Sequence, residues 1–159
     1  MNQFIHPDFK LNGKSFSYIE LLSEALYLKE NGQLFEKNIG KFLLEWLNNE
    51  SFVLVQTSGS TGKPKKIVLQ KSAMIASAKA TGTFFNLQPK ASALLCLSAD
   101  YIAGKMMLVR AITLGLQLDT AEPNSNPLGN KKYDFVAMVP MQVANSLNKL
   151  HLVETLLIG

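Results

Sequence analysis

Between two short apolar runs, Phe52–Val55 and Ile67–Leu69, the chain reads T-S-G-S-T-G-K-P-K from Thr57 to Lys65. The flanking runs are β-favouring and too brief for helices, so the string constrains the chain to a strand–loop–strand hairpin. Four hydroxyl side chains, two glycines and two lysines converge in that loop. Backbone N–H groups, hydroxyls and an ammonium in one turn match an anionic guest, and the phosphates of a nucleotide fit that chemistry. The glycines tolerate positive φ and close approach of backbone to ligand, and Pro64 fixes φ as the chain leaves the turn. A Walker A loop is excluded. It needs Gly where Thr57 stands, a hydroxyl where Pro64 stands, and a helix straight after its lysine. Lys65, rather than Lys63, is the phosphate-facing candidate. The competing reading is a solvated Ser/Gly turn.

The string resembles the phosphate loop of the adenylate-forming superfamily, which includes acyl-CoA synthetases, peptide-synthetase adenylation domains and luciferases. Thr57, Ser58, Gly59, Ser60, Thr61, Gly62, Pro64 and Lys65 follow that family's pattern, whereas Lys66 replaces its usual Gly. Ile67-Val68-Leu69 continues the resemblance, and Gln70-Lys71 stands where Thr-His is common. The resemblance implies that Thr57, Ser58, Gly59, Ser60, Thr61, Gly62 and Lys65 bind ATP. It also implies Mg²⁺, with coenzyme A as co-substrate. A small-molecule carboxylic acid would first become an acyl-adenylate and then a thioester.

Composition sets outer limits. The chain has 159 residues, 47% hydrophobic content and a formal net charge of +4. That is enough for one globular domain. No apolar run reaches membrane-spanning length, and Met1–Phe4 lacks the layout of a signal peptide. The one cysteine, Cys96, lies in an apolar run and reads as a buried structural thiol, as expected of a protein in a reducing cytoplasm. Lys63, Lys65, Lys66 and Lys71 concentrate positive charge around the hydroxyl loop. No basic helix, interleaved aromatic–basic surface or zinc spacing points to nucleic acid.

Periodicity and punctuation predict alternating helices and strands. Ser17 and Glu20 form a capping box that opens a helix through Leu28, closed by Asn31-Gly32. A second helix carries Phe35, Ile39, Phe42, Leu43, Trp46 and Leu47 as one buried stripe. After the hairpin, Ser72 is expected to cap a helix running to about Leu87. Strands are expected at Ala93–Ser98, Leu116–Leu118, Phe135–Val139 and Thr155–Ile158, with a helix over Ile102–Leu114. Another helix is expected over Met141–Leu150, after Pro140. Residues 122–132 read as a polar loop. The order predicts an α/β fold whose strands after residue 90 are mostly parallel, with flanking helices and the phosphate-loop hairpin. With the resemblance, the expected domains are a helical N-terminal segment, 1–50, and an AMP-binding α/β core, 51–159.

The last residues, Leu156-Leu157-Ile158-Gly159, read as the end of a buried strand. Ligand loops are expected beyond such ends. The resemblance then implies an N-terminal part of an adenylate-forming enzyme, inactive alone. The ribose-binding Asp, the hinge and the late catalytic Lys are expected past Gly159. An edge strand left unpaired would invite self-association into a homo-oligomer. Phe16-Ser17-Tyr18-x-Glu20-Leu21 resembles the family's opening segment but stands much nearer the phosphate loop than in most members, as in a compact branch.

Candidates for acid recognition lie on the helix after Asp100. Tyr101 stands where the family often has a histidine near the acyl pocket, and walls a pocket or packs. Gly104 to Ala111 is similar to a run in o-succinylbenzoate–CoA ligases of menaquinone synthesis. Lys105 and Arg110 interrupt that apolar helix, so each must snorkel or meet an anion. That anion is either a protein carboxylate or a second carboxylate on the substrate. His6 and His151 read as surface or core residues, and no general base is evident. The remaining alternatives are a general acyl-CoA synthetase and a nucleotide-binding fragment without chemistry.

Overall fold

In the computed structural model, residues 5–57 and 65–159 are described. Five strands form one sheet: β1 (Lys10–Leu11), β4 (Ser92–Leu95), β5 (Gln117–Thr120), β6 (Tyr133–Met138) and β7 (Val153–Ile158). Their order is β1-β5-β4-β6-β7, and every pairing is parallel. A separate antiparallel pair is made by β2 (Phe52–Thr57) and β3 (Lys65–Gln70). Parallel strands need crossovers and two covered faces, and the alternation of side chains along the strands supplies apolar groups to both faces. Ala93, Leu95, Phe135 and Ala137 point into the larger core, and Leu94, Cys96, Val136 and Met138 into a smaller one on the opposite face.

The larger core is built by α1 (Tyr18–Asn31), α2 (Leu34–Leu47), α3 (Lys71–Phe84) and α4 (Ile102–Leu114). The capping box at the start of α1 is present: the Glu20 N–H donates to Ser17 Oγ, and the Ser17 N–H donates to Glu20 Oε2 at 2.7 Å. The α2 stripe buries Ile39, Phe42, Leu43, Trp46 and Leu47 as its spacing requires. Helix α4 has the expected bounds. Gly115, at φ 75°, ends it by donating its N–H to Ala111 O, a left-handed turn that a Cβ would strain. The smaller core is closed by α5 (Pro140–Asn145), a 3₁₀ turn (Leu147–Leu152) and the loop carrying Leu128. No helix among the described residues is long and apolar enough to cross a membrane.

Several local expectations are corrected. Ser72 does not cap α3: the chain passes straight from β3 into the helix, with Gln70 at the cap position and no side-chain cap. The Lys71 N–H instead donates to Ser51 O at 2.8 Å. Helix α3 stops at Phe84 because Asn86, at φ 52°, turns left-handed. The Leu87 N–H then donates to Gly82 O and that of Asn86 to Thr83 O, a Schellman ending. The helix expected over Met141–Leu150 is two pieces, since buried Ser146 turns its hydroxyl toward Asn126 and its N–H toward Val143 O. Strand β4 ends at Leu95, and the next carbonyl, of Cys96, accepts instead from the Gln142 side chain. Strand β1 was not foreseen, two residues being too short for a period to show.

Phe135 is fully buried in β6, its ring 5.8 Å from that of Phe85. Phe135→Ala is expected to lower unfolding free energy by about 3–5 kcal/mol. Phe84→Ala, at a side chain 80% exposed, is expected to change it by less than about 0.5 kcal/mol. Urea titration of both variants checks the contrast.

Candidate functional site

The hairpin is held in register to its last pair, Thr57 opposite Lys65. Ser58, Gly59, Ser60, Thr61 and Gly62 lie outside the described residues, within the 58–64 connection that this register closes. Inside the hairpin, Val53 and Val55 are buried against the core, while Leu54, Ile67 and Val68 face outward. At its foot a polar pocket of about 270 Å³ is lined by Glu45, Gln56, Lys66, Asp100 and Lys105, with Leu54 and Val55. The Asn38 amide donates to Asp100 Oδ2 at 2.6 Å, which fixes one carboxylate of that pocket.

Lysines of the expected cationic cluster part company here. Lys66 is exposed and faces the polar pocket. Lys71 is only 4% exposed. Its Nζ donates to Asn48 O at 3.0 Å and Asn48 Oδ1 at 2.9 Å, 6.0 Å from the Trp46 ring centre. It therefore satisfies the carboxyl end of α2 and is not part of the anion-facing charge. Burial pushes its ammonium below the ordinary lysine value.

The second region lies at the C-terminal ends of β4 and β6. From β4 the chain crosses to β5 on one side, and from β6 to β7 on the other. The two connections diverge there, which is where open α/β sheets form ligand crevices. Two pockets occupy the place. One, of about 320 Å³, is lined by Cys96, Leu97, Ser98, Tyr101, Pro123 and Gln142 among others. Its neighbour, of about 230 Å³, is lined by Ile102, Met106, Arg110, Met138 and Leu157. Leu97 and Ala103 belong to both. Burial pushes the Cys96 thiol up to about 12, so it is a protonated, unreactive lining group.

Helix α4 distributes the three sequence candidates over different pockets. Tyr101, at its N-cap position and half exposed, walls the first. Arg110 reaches the second, and Lys105 turns to the polar pocket under the hairpin. Lys105 is 7% exposed. Its Nζ donates to Leu54 O at 2.9 Å and lies 3.6 Å from Glu45 Oε2. Arg110 is 9% exposed. Its Nε donates to Thr81 Oγ1 at a long 3.4 Å, and Nη1 contacts Met107 Sδ at 3.8 Å. Among the described residues no carboxylate forms an ion pair with it. Burial pushes its guanidinium below the ordinary arginine value. A desolvated cation beside an apolar pocket is complementary to an anion.

Sequence reasoning missed Glu45. Its one signal was a charge within the otherwise apolar turn of α2 between Phe42 and Leu47. His6 accepts from the Asp8 N–H at 3.2 Å, and neither it nor His151 lines these pockets. Among the described residues no group of His, Cys, Asp or Glu is arranged to hold a metal ion, so no chemistry is assigned to a protein-held Mg²⁺.

Gly104 is set by close approach. A Cβ there would run into the carbonyl oxygen of Ser98 and the Ala99 nitrogen. Gly104→Ala is therefore expected to shift the start of α4 or cost about 1–3 kcal/mol. A denaturant midpoint equal to the parent's would show that the β4–α4 turn yields freely.

No protein-family model matches the chain, and none of the curated proteins matches it. Solved structures do. The AMP-forming acyl-CoA synthetase/AMP-acid ligase II-like protein of Dyadobacter fermentans superposes with a TM-score of 0.75 at 35% identity, over 86% of this chain and 42% of that one. O-succinylbenzoate coenzyme A synthetase of Bacillus subtilis, in complex with ATP and magnesium ion, gives 0.57 at 18% identity, over 67% of this chain and 24% of that one. The N-terminal subdomain of Klebsiella oxytoca NpsA gives 0.52 at 20% identity, over 66% and 30%. The chain thus spans less than half the length of each. Its structural neighbours are AMP-forming acyl-CoA synthetases, the chain has the fold of their N-terminal domains, and this likeness supports a place in the adenylate-forming superfamily.

Proposed function

We propose that this chain carries the phosphate-gripping and acyl-recognising part of an ATP-dependent carboxylate–CoA ligase. The observation that carries the reading is the T-S-G-S-T-G-K-P-K string, set on the closed end of an in-register hairpin. It occurs in a chain 35% identical to an AMP-forming acyl-CoA synthetase over most of its length. In the first half-reaction a carboxylate oxygen bonds to the α-phosphorus of ATP, and the bond from that phosphorus to the bridging oxygen breaks. Pyrophosphate departs with the electron pair. In the second, the thiol of coenzyme A attacks the acyl carbon, and AMP leaves.

The protein's part in the first step is electrostatic. The hydroxyls of Thr57, Ser58, Ser60 and Thr61, the N–H groups of Gly59 and Gly62, and the Lys65 ammonium would hold the β- and γ-phosphates. They would stabilise the charge that builds on departing pyrophosphate. The acyl group would enter the paired pockets at the ends of β4 and β6, with Tyr101 at the wall of the first. Within this class we favour an aromatic dicarboxylic acid of the o-succinylbenzoate type. The Gly104–Ala111 run supports that choice, and so does Arg110, whose buried guanidinium forms no ion pair with a carboxylate among the described residues and suits a second substrate carboxylate. The general acyl-CoA synthetase is the second reading, favoured by the mostly apolar pocket linings and the Dyadobacter protein's description.

In the full-length enzyme, Lys65→Ala is expected to slow ATP–pyrophosphate exchange about 10²–10³-fold. An undiminished exchange rate would remove the loop from the chemistry. For substrate choice, Arg110→Met is expected to cut kcat/KM about 10²-fold or more for o-succinylbenzoate while leaving a monocarboxylic acid of similar size nearly unchanged. Equal losses on both acids would assign Arg110 to packing.

A further inference from the structure

We propose that Glu45 and Lys105 are positioning residues, forming a two-point clamp on the outer edge of β2 that sets the phosphate-loop hairpin against α4. The inference rests on the nucleotide reading above only for its functional consequence. Among the described residues β2 pairs with β3 alone, and no strand lies on its other edge. In an antiparallel strand the N–H and C=O of one residue point to the same edge. At Leu54 both groups point away from β3, and both are taken by side chains. The Leu54 N–H donates to Glu45 Oε1 at 2.5 Å, and Leu54 O accepts from Lys105 Nζ at 2.9 Å. The ring closes through Lys105 Nζ and Glu45 Oε2, 3.6 Å apart.

A carboxylate from α2 and an ammonium from α4 thus stand where a third strand would make its pair of hydrogen bonds. The site is built for this use. Lys105 is almost wholly buried, with the Phe42 ring centre 5.3 Å from its Nζ. Such a charge is tolerated only with its partners in place. Leu54 stands roughly 10 Å along the strand from Thr57, where the 58–64 connection opens. Lys105 stands about a turn and a half along α4 from Arg110. One ionic contact therefore ties the loop that would meet the phosphates to the helix that lines the acyl pockets. Moving the hairpin without moving α4 breaks it.

The double variant Glu45→Leu/Lys105→Met removes both charges together, so neither is left buried alone. Amide hydrogen exchange is compared with the parent protein, without nucleotide. At Leu54, and at Val55 and Ile67, whose N–H groups point into the β2–β3 ladder, exchange is expected to quicken at least about tenfold, with β4–β6 unchanged. Lys105→Arg, which keeps charge and donors, is expected to preserve the protection. In ATP–pyrophosphate exchange by the full-length enzyme, the double variant is expected to raise KM for ATP about tenfold with kcat within about twofold. Unaltered exchange at the hairpin would overturn the clamp. A fall in active fraction with KM unchanged would overturn the positioning role and leave a structural pair. Absence of ATP binding by the parent would overturn the nucleotide reading, while hydrogen exchange still judges the clamp by itself.

Discussion

A two-stranded hairpin does not hold its own position in water, and this constraint governs the molecule. β2 and β3 stand outside the five-stranded sheet. They are fixed by burying Val53 and Val55 on one face and by the ionic grip on Leu54 at one edge. The outward side chains of Leu54, Ile67 and Val68 contribute little burial. The placement of the hairpin is therefore set by the helices α2 and α4 that hold β2.

The same helix serves the other half of the site. α4 begins at Tyr101, passes so close to Ser98 that only glycine fits at 104, and then presents Lys105 and Arg110 in different directions. The parallel sheet supplies the matching crevice, because connections diverge at the ends of β4 and β6. Neither pocket is rich in polar groups, so the few that do enter, Ser98, Tyr101, Asn124, Ser125, Gln142 and Arg110, have influence out of proportion to their number. Gln142 is already committed to the Cys96 and Asn124 carbonyls at 2.9 Å each. It shapes the first pocket rather than reading a guest.

Legibility in the sequence followed the range of the interaction. Where a feature is local, it could be read: the Ser17–Glu20 box, the α2 stripe, Pro140 at the first turn of α5, the bounds of α4 and the strand–loop–strand hairpin. Parallel pairing also followed from the alternation of elements. What escaped depends on partners far away in the chain. β1 exists because Lys10 and Leu11 find β5, and Lys71 is buried because the end of α2 needs a donor. The Asn86 ending of α3 is local but uses the less common left-handed residue, and so was not expected. For Lys105 and Arg110 the sequence established that each needs an anion or an escape to water. Only the packing showed that one meets Glu45 and that the other faces a cavity.

The boundary between the two pockets at the ends of β4 and β6 is thin. It consists of Leu97 and Ala103, one flexible side chain and one minimal one. A leucine hops between staggered rotamers at modest cost, so the partition behaves as a hinged panel, not a wall. Swung aside, it would fuse two short compartments into one elongated chamber. The length of guest that fits could then be tuned by side-chain bulk at two positions, with the backbone untouched.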